Sequence, residues 1–156
     1  MAYLIDTGIL LRLVDDTDSQ HVLVGQAVRE LVRRKDDLLI TTQNVAEFCC
    51  VATRPIANNG LGLTPSEALR LLAREIEPIC GTLVERDTLP TELKRLIAQY
   101  TVVGKQVHDA RLVAMMLVWQ IDAILTLNER NFRRFEPEGI AIISPAALIA
   151  ADPPAA

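Results

Sequence analysis

Cysteine is scarce in this chain, and the few that occur form no recognisable pattern. Only three cysteines are found among the 156 residues, two of them adjacent as Cys49 and Cys50, and no Cys-x-x-Cys pair or cysteine–histidine cluster is present. These features argue against a disulfide framework and against a zinc site, and they favour a reducing compartment. The three thiols are expected to be small, buried apolar residues, as free cysteines usually are.

Long apolar runs are also missing. The longest strictly apolar stretch, from Leu112 to Trp119, has eight residues, whereas a membrane-spanning helix needs about 20. Asp6 interrupts the first apolar stretch and no basic residue precedes it, so no secretory signal is expected. We therefore predict a cytoplasmic protein without a membrane span.

Basic charge does not predominate either. The chain has 20 acidic and 16 basic residues, which gives a formal net charge of −4. This balance argues against a broad basic surface for nucleic acid, so such a substrate would need a local basic patch or bound cations. Half of the residues are hydrophobic, which excludes a disordered chain, and the length predicts one domain with its own core.

Strand-like apolar runs alternate with helical patterns along the chain. Strands are predicted at residues 3–5, 38–41, 123–127 and 140–143, with a strand or extended link at 80–85. Helices are predicted at residues 21–35, 43–53, 64–77, 89–100, 109–120 and 129–135. This alternation predicts one α/β domain over residues 1–144, with a mainly parallel central sheet of about four to five strands and helices on both faces. The Ala- and Pro-rich residues 145–156 are expected to form a fraying tail.

Two acidic residues stand inside apolar segments. Asp6 falls at the end of the first strand, the edge where ligands bind in α/β sheets, although it could instead cap the following helix. Glu47 is the only residue of VAEFCCVA that is not apolar, so its helix is expected to be buried on most sides. A buried carboxylate must be paired, protonated or bound to a cation, and an arginine partner is the alternative to a functional role.

Two further polar residues have comparable positions. Asp109 lies in the first turn of a helix that is apolar nearly all round, where it could also be a cap. Asn128 follows the apolar strand at 123–127 and shares a face with Thr126, although it could simply be a turn residue. His108, beside Asp109, is more simply explained as a structural residue.

These positions are expected to converge. A helix that connects parallel strands runs antiparallel to them, so its N-terminus lies at the edge where the strands end. Asp6, Glu47, Asp109 and Asn128 can therefore meet in one crevice. Clustered carboxylates repel each other unless some are protonated or a divalent ion neutralises them. Oxygen ligands without cysteine or histidine favour Mg²⁺ or Mn²⁺, which can promote phosphoryl displacement.

Four segments, in this order, resemble PIN-domain ribonucleases, specifically VapC-like toxins of type II toxin–antitoxin pairs: LIDTGILLRL, TTQNVAEF, VHDARLVAMM and AILTLNERNF. The resemblance covers nearly the whole chain and implies a PIN-like fold. It implies that Asp6, Glu47 and Asp109 hold Mg²⁺ or Mn²⁺. These three with Asn128 would form the catalytic set, and Thr7 and Thr126 would line the site.

The resemblance further implies an endoribonuclease that cleaves single-stranded RNA, forms a homodimer and is inhibited by a small antitoxin protein that blocks the site. Many family members carry a fourth acid at the position of Asn128, so the number of bound ions, one or two, stays open. Arg130, Arg133 and Arg134 are candidate RNA-phosphate contacts, unless they form only a solvated helix face. Lys94, Arg95 and Lys105 are weaker candidates.

Three alternatives remain. The first is a catalytically silent PIN-like module that binds RNA or a protein, which the presence of Asn128 motivates. The second is a housekeeping RNA-processing nuclease rather than a toxin. The third is a phosphatase with Asp6 as the nucleophile, similar to haloacid-dehalogenase-like enzymes, but these need a second acid where Gly8 stands.

Overall fold

The computed structural model describes residues 1–151 as a parallel sheet surrounded by helices. The strands are β1 (Ala2–Ile5), β2 (Asp37–Thr41), β3 (Gly81–Leu83), β4 (Ala123–Leu125) and β5 (Ala141–Ile143). The helices are α1 (Thr7–Val14), α2 (His21–Arg34), α3 (Thr42–Ala52), α4 (Pro65–Leu71), α5 (Leu89–Gln99), α6 (Gln106–Trp119), α7 (Glu129–Phe132) and α8 (Pro145–Ala151). A π-helical turn, Leu72–Ile76, continues α4, and 3₁₀ turns occupy Ile56–Asn58 and Arg133–Glu138.

The five strands are arranged in the order β3-β2-β1-β4-β5, and every pairing between neighbours is parallel. The chain moves outward from β1 through β2 to β3, and then returns to the other side of β1 to form β4 and β5. The strand order therefore reverses at β1. In such sheets the crevice beside the reversal, at the carboxyl ends of the strands, is where ligands bind.

Helices cover both faces of the sheet, as predicted. Tyr3 and Ile5 of β1 point into a core built with α1 to α4 and α8, whereas Leu4 points into a second core built with α5, α6 and α7. This alternation follows from the two-residue period of a strand. It explains why the strands read as continuous apolar runs, because both of their faces are buried.

Several element boundaries differ from the predicted ones. α6 begins at Gln106, three residues before the predicted start, and β4 ends at Leu125, two residues before its predicted end. Residues 7–14, for which no element was predicted, form α1 directly after Asp6. The start of α4 follows its sequence signals, because Thr64 and Glu67 form a reciprocal capping box ahead of Pro65.

The segment after residue 144 begins with a helix. Residues 145–151 form α8, which packs on α2, and Leu148 is only 3% exposed within the first core. The expectation of a fraying tail is therefore wrong for these residues, because their alanines favour a helix and Leu148 gives that helix an apolar contact. Residues 152–156 of the predicted tail lie outside the described residues.

The three cysteines differ in burial. Cys80 is buried and Cys49 half-buried, but Cys50 is exposed on α3, so its predicted burial is wrong. None of the helices within residues 1–151 is long and apolar enough to cross a bilayer.

Candidate active site

Asp6 lies between β1 and α1, at the carboxyl edge of the sheet. It occupies the residue before α1, but its side chain makes no capping hydrogen bond to the first turn. Instead its Oδ2 accepts a hydrogen bond from Thr126 Oγ1 at 2.6 Å. Burial raises the pKa of Asp6, and the charge of Glu47 raises it further, although hydrogen bonds from Thr126 and the Thr7 backbone oppose the rise. The side chain is therefore directed into the crevice rather than used as a cap.

Thr126 connects the ends of two adjacent strands. It is fully buried just after β4, donates to Asp6, and accepts a hydrogen bond from the Asn128 backbone N–H at 2.9 Å. Asn128 itself is exposed in the position before α7, and its side chain caps nothing there. The predicted proximity of Thr126 to the site is thus observed, whereas Asn128 reaches the site through its backbone.

Glu47 lies in the second turn of α3 and is half-buried. Its Oε2 accepts from Thr7 Oγ1 at 2.7 Å, and its Oε1 accepts from Gln43 Nε2 at 2.8 Å. α3 exposes a single stripe, at Thr42, Ala46 and Cys50, and its other residues are buried or half-buried, as predicted. Among residues 1–151 no salt bridge to Glu47 is formed, so the arginine-partner alternative is wrong.

Asp109 lies in the first turn of α6, three residues inside the helix rather than at its cap. Its Oδ2 accepts a hydrogen bond from Asn131 Nδ2 at 3.2 Å. Burial, followed by repulsion from Asp6 and Glu47, raises the pKa of Asp109 to about 6, although the bond from Asn131 opposes this. The three predicted carboxylates therefore share one electrostatic environment, with elements from both faces of the sheet contributing.

Buried polar side chains support this crevice. The described residues include five of them, and all five contribute to the site or to the start of α3: Thr7, Thr41, Gln43, Asn44 and Thr126. Asn44 donates to Thr7 Oγ1 at 3.1 Å and accepts from the Thr41 backbone N–H at 2.8 Å. Since buried polar groups need partners, this network fixes the orientation of Thr7 and, through it, Glu47.

Three of the supporting residues are absent from the sequence-based interpretation: Gln43, Asn44 and Asn131. Gln43 precedes Glu47 by four residues, the spacing that puts two side chains on the same helix face. That spacing, together with the polar run TTQN at a strand end, is the signal that could have identified Gln43 and Asn44. Nothing local indicates Asn131, since its contact with Asp109 crosses between two helices.

The donor set fits a hard divalent cation in its chemistry. Within residues 1–151, no group of three or more acidic, histidine or cysteine side chains is arranged so that it could hold a metal ion. Mg²⁺, however, usually keeps several waters and binds through only one or two carboxylates. The three carboxylates accept hydrogen bonds from neutral donors, which do not cancel their charge, and they repel each other. Their negative charge therefore remains available for such an ion.

The basic candidates differ in exposure and in their contacts. Arg130 and Arg133 are exposed and Arg134 is half-buried, next to the turn from which Asn131 reaches Asp109. Arg95 is engaged by Glu92 and Glu138, which leaves it a poor candidate for a phosphate contact. Lys94 and Lys105 are exposed.

The fold is therefore an α/β domain with an open parallel sheet. The acidic crevice lies beside β1, where the strand order reverses, and is a candidate site for reactions of phosphate groups. The chain belongs to the PIN domain family, whose sequence profile matches residues 3–136. No curated protein sequence matches the chain.

Solved structures show the same fold. VapBC-1 from nontypeable Haemophilus influenzae superposes with a TM-score of 0.66 at 16% identity, covering 94% of this chain and 99% of that one. VapBC2 from Rickettsia felis, bound to a DNA fragment from its promoter, gives 0.68 at 11% identity, covering 92% and 98%. VapC20 from Mycobacterium tuberculosis, described as a sarcin–ricin loop cleaving toxin, gives 0.58 at 13% identity, covering 78% and 86%.

Proposed function

We propose that this protein is an endoribonuclease that cleaves single-stranded RNA with Mg²⁺ or Mn²⁺ and is the toxin of a toxin–antitoxin pair. The observation that carries the proposal is the crevice at the end of β1, where Asp6, Glu47 and Asp109 repel each other and form no ion pair within residues 1–151. Membership of the PIN domain family and the VapC-like fold support the same chemistry.

Each part of the chain has a role in this proposal. Asp6, Glu47 and Asp109 would hold the cation, directly or through its bound waters, and Thr7 and Thr126 orient two of these carboxylates through their hydroxyls. A Mg²⁺ or Mn²⁺ ion held there would supply activation of water and stabilisation of an in-line displacement at phosphorus. The exposed guanidinium groups of residues 130 and 133 contact the phosphates beside the scissile bond.

Cleavage of single-stranded RNA in the presence and absence of EDTA tests the proposal. The wild type with Mn²⁺ is expected to cleave, and both EDTA and Asp6→Asn are expected to abolish cleavage. Asp16→Asn, at an exposed position after α1, is the matched control and retains activity. Cleavage that persists in EDTA or in Asp6→Asn would exclude this site.

The proposed partners are a small antitoxin protein and a second copy of this chain. The fold neighbours carry the name VapBC, and the quoted motifs resemble VapC-like toxins. A gene for a small protein directly beside this one, whose product suppresses the cleavage, would support a toxin over a housekeeping nuclease. Light scattering is expected to give twice the 17.2 kDa of one chain.

A catalytically silent module is the second candidate function. It is favoured by the open arrangement of the three carboxylates in residues 1–151 and by Asn128, which adds no charge. Calorimetric titration with Mn²⁺ separates the two candidates, because a silent module of this kind would bind RNA without binding the ion.

A further inference from the structure

Gln43 is a buried amide that links the two helices of the crevice. It is 6% exposed and lies on α3, one turn before Glu47. Its Nε2 donates to Glu47 Oε1 at 2.8 Å and to the backbone oxygen of His108 at 3.0 Å, and its Oε1 accepts from Arg111 at 2.9 Å. His108 immediately precedes Asp109, so one side chain connects Glu47 to the turn that carries Asp109.

The partners leave the amide only one orientation. Arg111 can only donate, whereas the His108 carbonyl and an ionised Glu47 can only accept. A reversed amide would direct its oxygen at two acceptors and its N–H groups at a guanidinium. The orientation therefore does not depend on how the oxygen and nitrogen of Gln43 are assigned.

Arg111 is in turn held from outside the crevice. Its second terminal nitrogen forms an ion pair and hydrogen bond with Glu85, in the connection between β3 and α5. Gln43 thus links Arg111 to Glu47, and among residues 1–151 no ion pair joins the guanidinium directly to that carboxylate. A direct contact would neutralise Glu47 and compete with a cation for it.

We propose that Gln43 is a positioning residue for the cation site: it sets Glu47 relative to Asp109, and Arg111 with Glu85 fixes Gln43. This inference rests on the proposed function, since it assumes that the carboxylates hold Mg²⁺ or Mn²⁺. Gln43 supplies neither charge nor an oxygen ligand to the cation. It contributes by fixing the orientation of the Glu47 carboxylate.

Mn²⁺ binding to the folded protein, followed by calorimetry and by the EPR line shape of the bound ion, tests the proposal. Gln43→Met retains the size of the side chain and removes its three hydrogen bonds, and we expect binding to weaken at least about tenfold, with a changed line shape. Gln43→Glu adds charge but loses both donors, and we expect weaker binding here too. If Gln43 contributed only through charge, Gln43→Glu would bind more tightly and Gln43→Met would bind like the wild type.

Two further variants keep the test decisive. Gln99→Met is the matched control, because Gln99 on α5 also accepts from an arginine and approaches a glutamate, but neither Arg95 nor Glu138 is a residue of the crevice. This variant should bind Mn²⁺ like the wild type. Arg111→Met leaves Gln43 in place but removes the hydrogen bond from Arg111 to it, so we expect Mn²⁺ binding to weaken less than in Gln43→Met. This variant provides the test if Gln43→Met fails to fold. Wild-type affinity in folded Arg111→Met would overturn the proposal.

The proposed function is tested separately in the same titration. The wild type is expected to bind Mn²⁺, and the combined variant Asp6→Asn, Glu47→Gln, Asp109→Asn is expected not to bind it. If the wild type binds no Mn²⁺, the proposed function and the role of Gln43 both fail. If it binds and Gln43→Met binds equally well, only the role of Gln43 fails.

Discussion

Each carboxylate of the crevice is oriented by neutral donors. Thr126 donates to Asp6, Thr7 and Gln43 donate to Glu47, and Asn131 donates to Asp109. A neutral donor fixes a carboxylate without cancelling its charge, whereas an arginine or lysine would do both. The site is thereby kept ordered and negative, the condition that a divalent cation requires.

Asp109→Asn is expected to stabilise the metal-free protein at pH 7. The pKa of Asp109 is about 6 in the folded chain against an ordinary value of 3.8. The stability that its protonated form contributes is therefore complete below pH about 4 and is lost as the pH rises through 6. The difference corresponds to at most about 3 kcal/mol, which partial exposure reduces to about 1 kcal/mol. Urea unfolding in EDTA at pH 4 and pH 7 measures the gain, which should be present only at pH 7.

Asp16→Asn provides the control for this measurement, since it makes the same change at an exposed position outside the crevice. If Asp109→Asn destabilises the protein by several kcal/mol at either pH, Asp109 has a structural role. Asp109→Asn should also lack RNA cleavage at every Mn²⁺ concentration, because Asp109 is proposed to hold the ion.

Asn128→Asp is expected to lower the Mn²⁺ concentration that gives half-maximal cleavage. If Asn128 stands in for a fourth acid, the change adds a carboxylate beside Thr126 and strengthens a second, weaker cation site. It should also destabilise the metal-free protein slightly through like-charge repulsion, and added salt should reduce this loss because Asn128 is exposed. Unchanged metal dependence in this variant would limit Asn128 to a turn or an RNA contact.

At the scale of elements, the N-terminal turns of helices and the ends of strands supply the site. Asp6 follows β1, Thr126 follows β4, and Asp109 lies in the first turn of α6. α7 adds Asn131 although it has only four residues. α8 has a structural role instead. It packs on α2 and completes the core on the face of the sheet that α1 to α4 cover.

Leu148→Ala is expected to cost about 2–4 kcal/mol of unfolding free energy, because it leaves a cavity beneath α8. Leu69→Ala on α4 is the matched control; Leu69 is 54% exposed, and its truncation should cost less than about 1 kcal/mol. Urea unfolding measures both. Equal, small losses would mean that α8 is dispensable and that the stable domain ends near residue 144.

At the scale of the whole molecule, the reversal of strand order at β1 assembles the site from distant parts of the chain. β1 lies between β2 and β4, so the residues that follow β1 meet those that follow β4 at one edge. The hydrogen bond from Thr126 to Asp6 spans 120 positions in sequence. Binding of a cation at this edge should therefore stabilise the fold as a unit.

Mn²⁺ is expected to raise the melting temperature of the wild type. An ion that binds only the folded chain adds about 2.7 kcal/mol of stability at one hundred times its dissociation constant. The rise should shrink in Glu47→Gln and vanish when Asp6, Glu47 and Asp109 are all replaced by their amides. Differential scanning calorimetry measures the shift, and an equal rise in the wild type and the triple variant would place the ion elsewhere.

The sequence by itself determined the layered α/β class, the parallel sheet and the apolar character of its strands. It could do so because helix and strand periods are local properties, and because strands buried on both faces read as unbroken apolar runs. The same reasoning indicated Asp6, Glu47 and Asp109, since an acid inside an apolar segment is conspicuous without any knowledge of its neighbours in space.

Only the tertiary structure decided how these acids are held. Glu47 has Thr7 and Gln43 as partners rather than an arginine, and Asp109 is reached by Asn131 of α7. The burial of Leu148, by which α8 contacts the first core, was decided in the same way. The contacts of Thr7 with Glu47 and of Asn131 with Asp109 join residues far apart in sequence. Their energies depend on distances that no local pattern encodes, so they exist only once the sheet has brought the elements together.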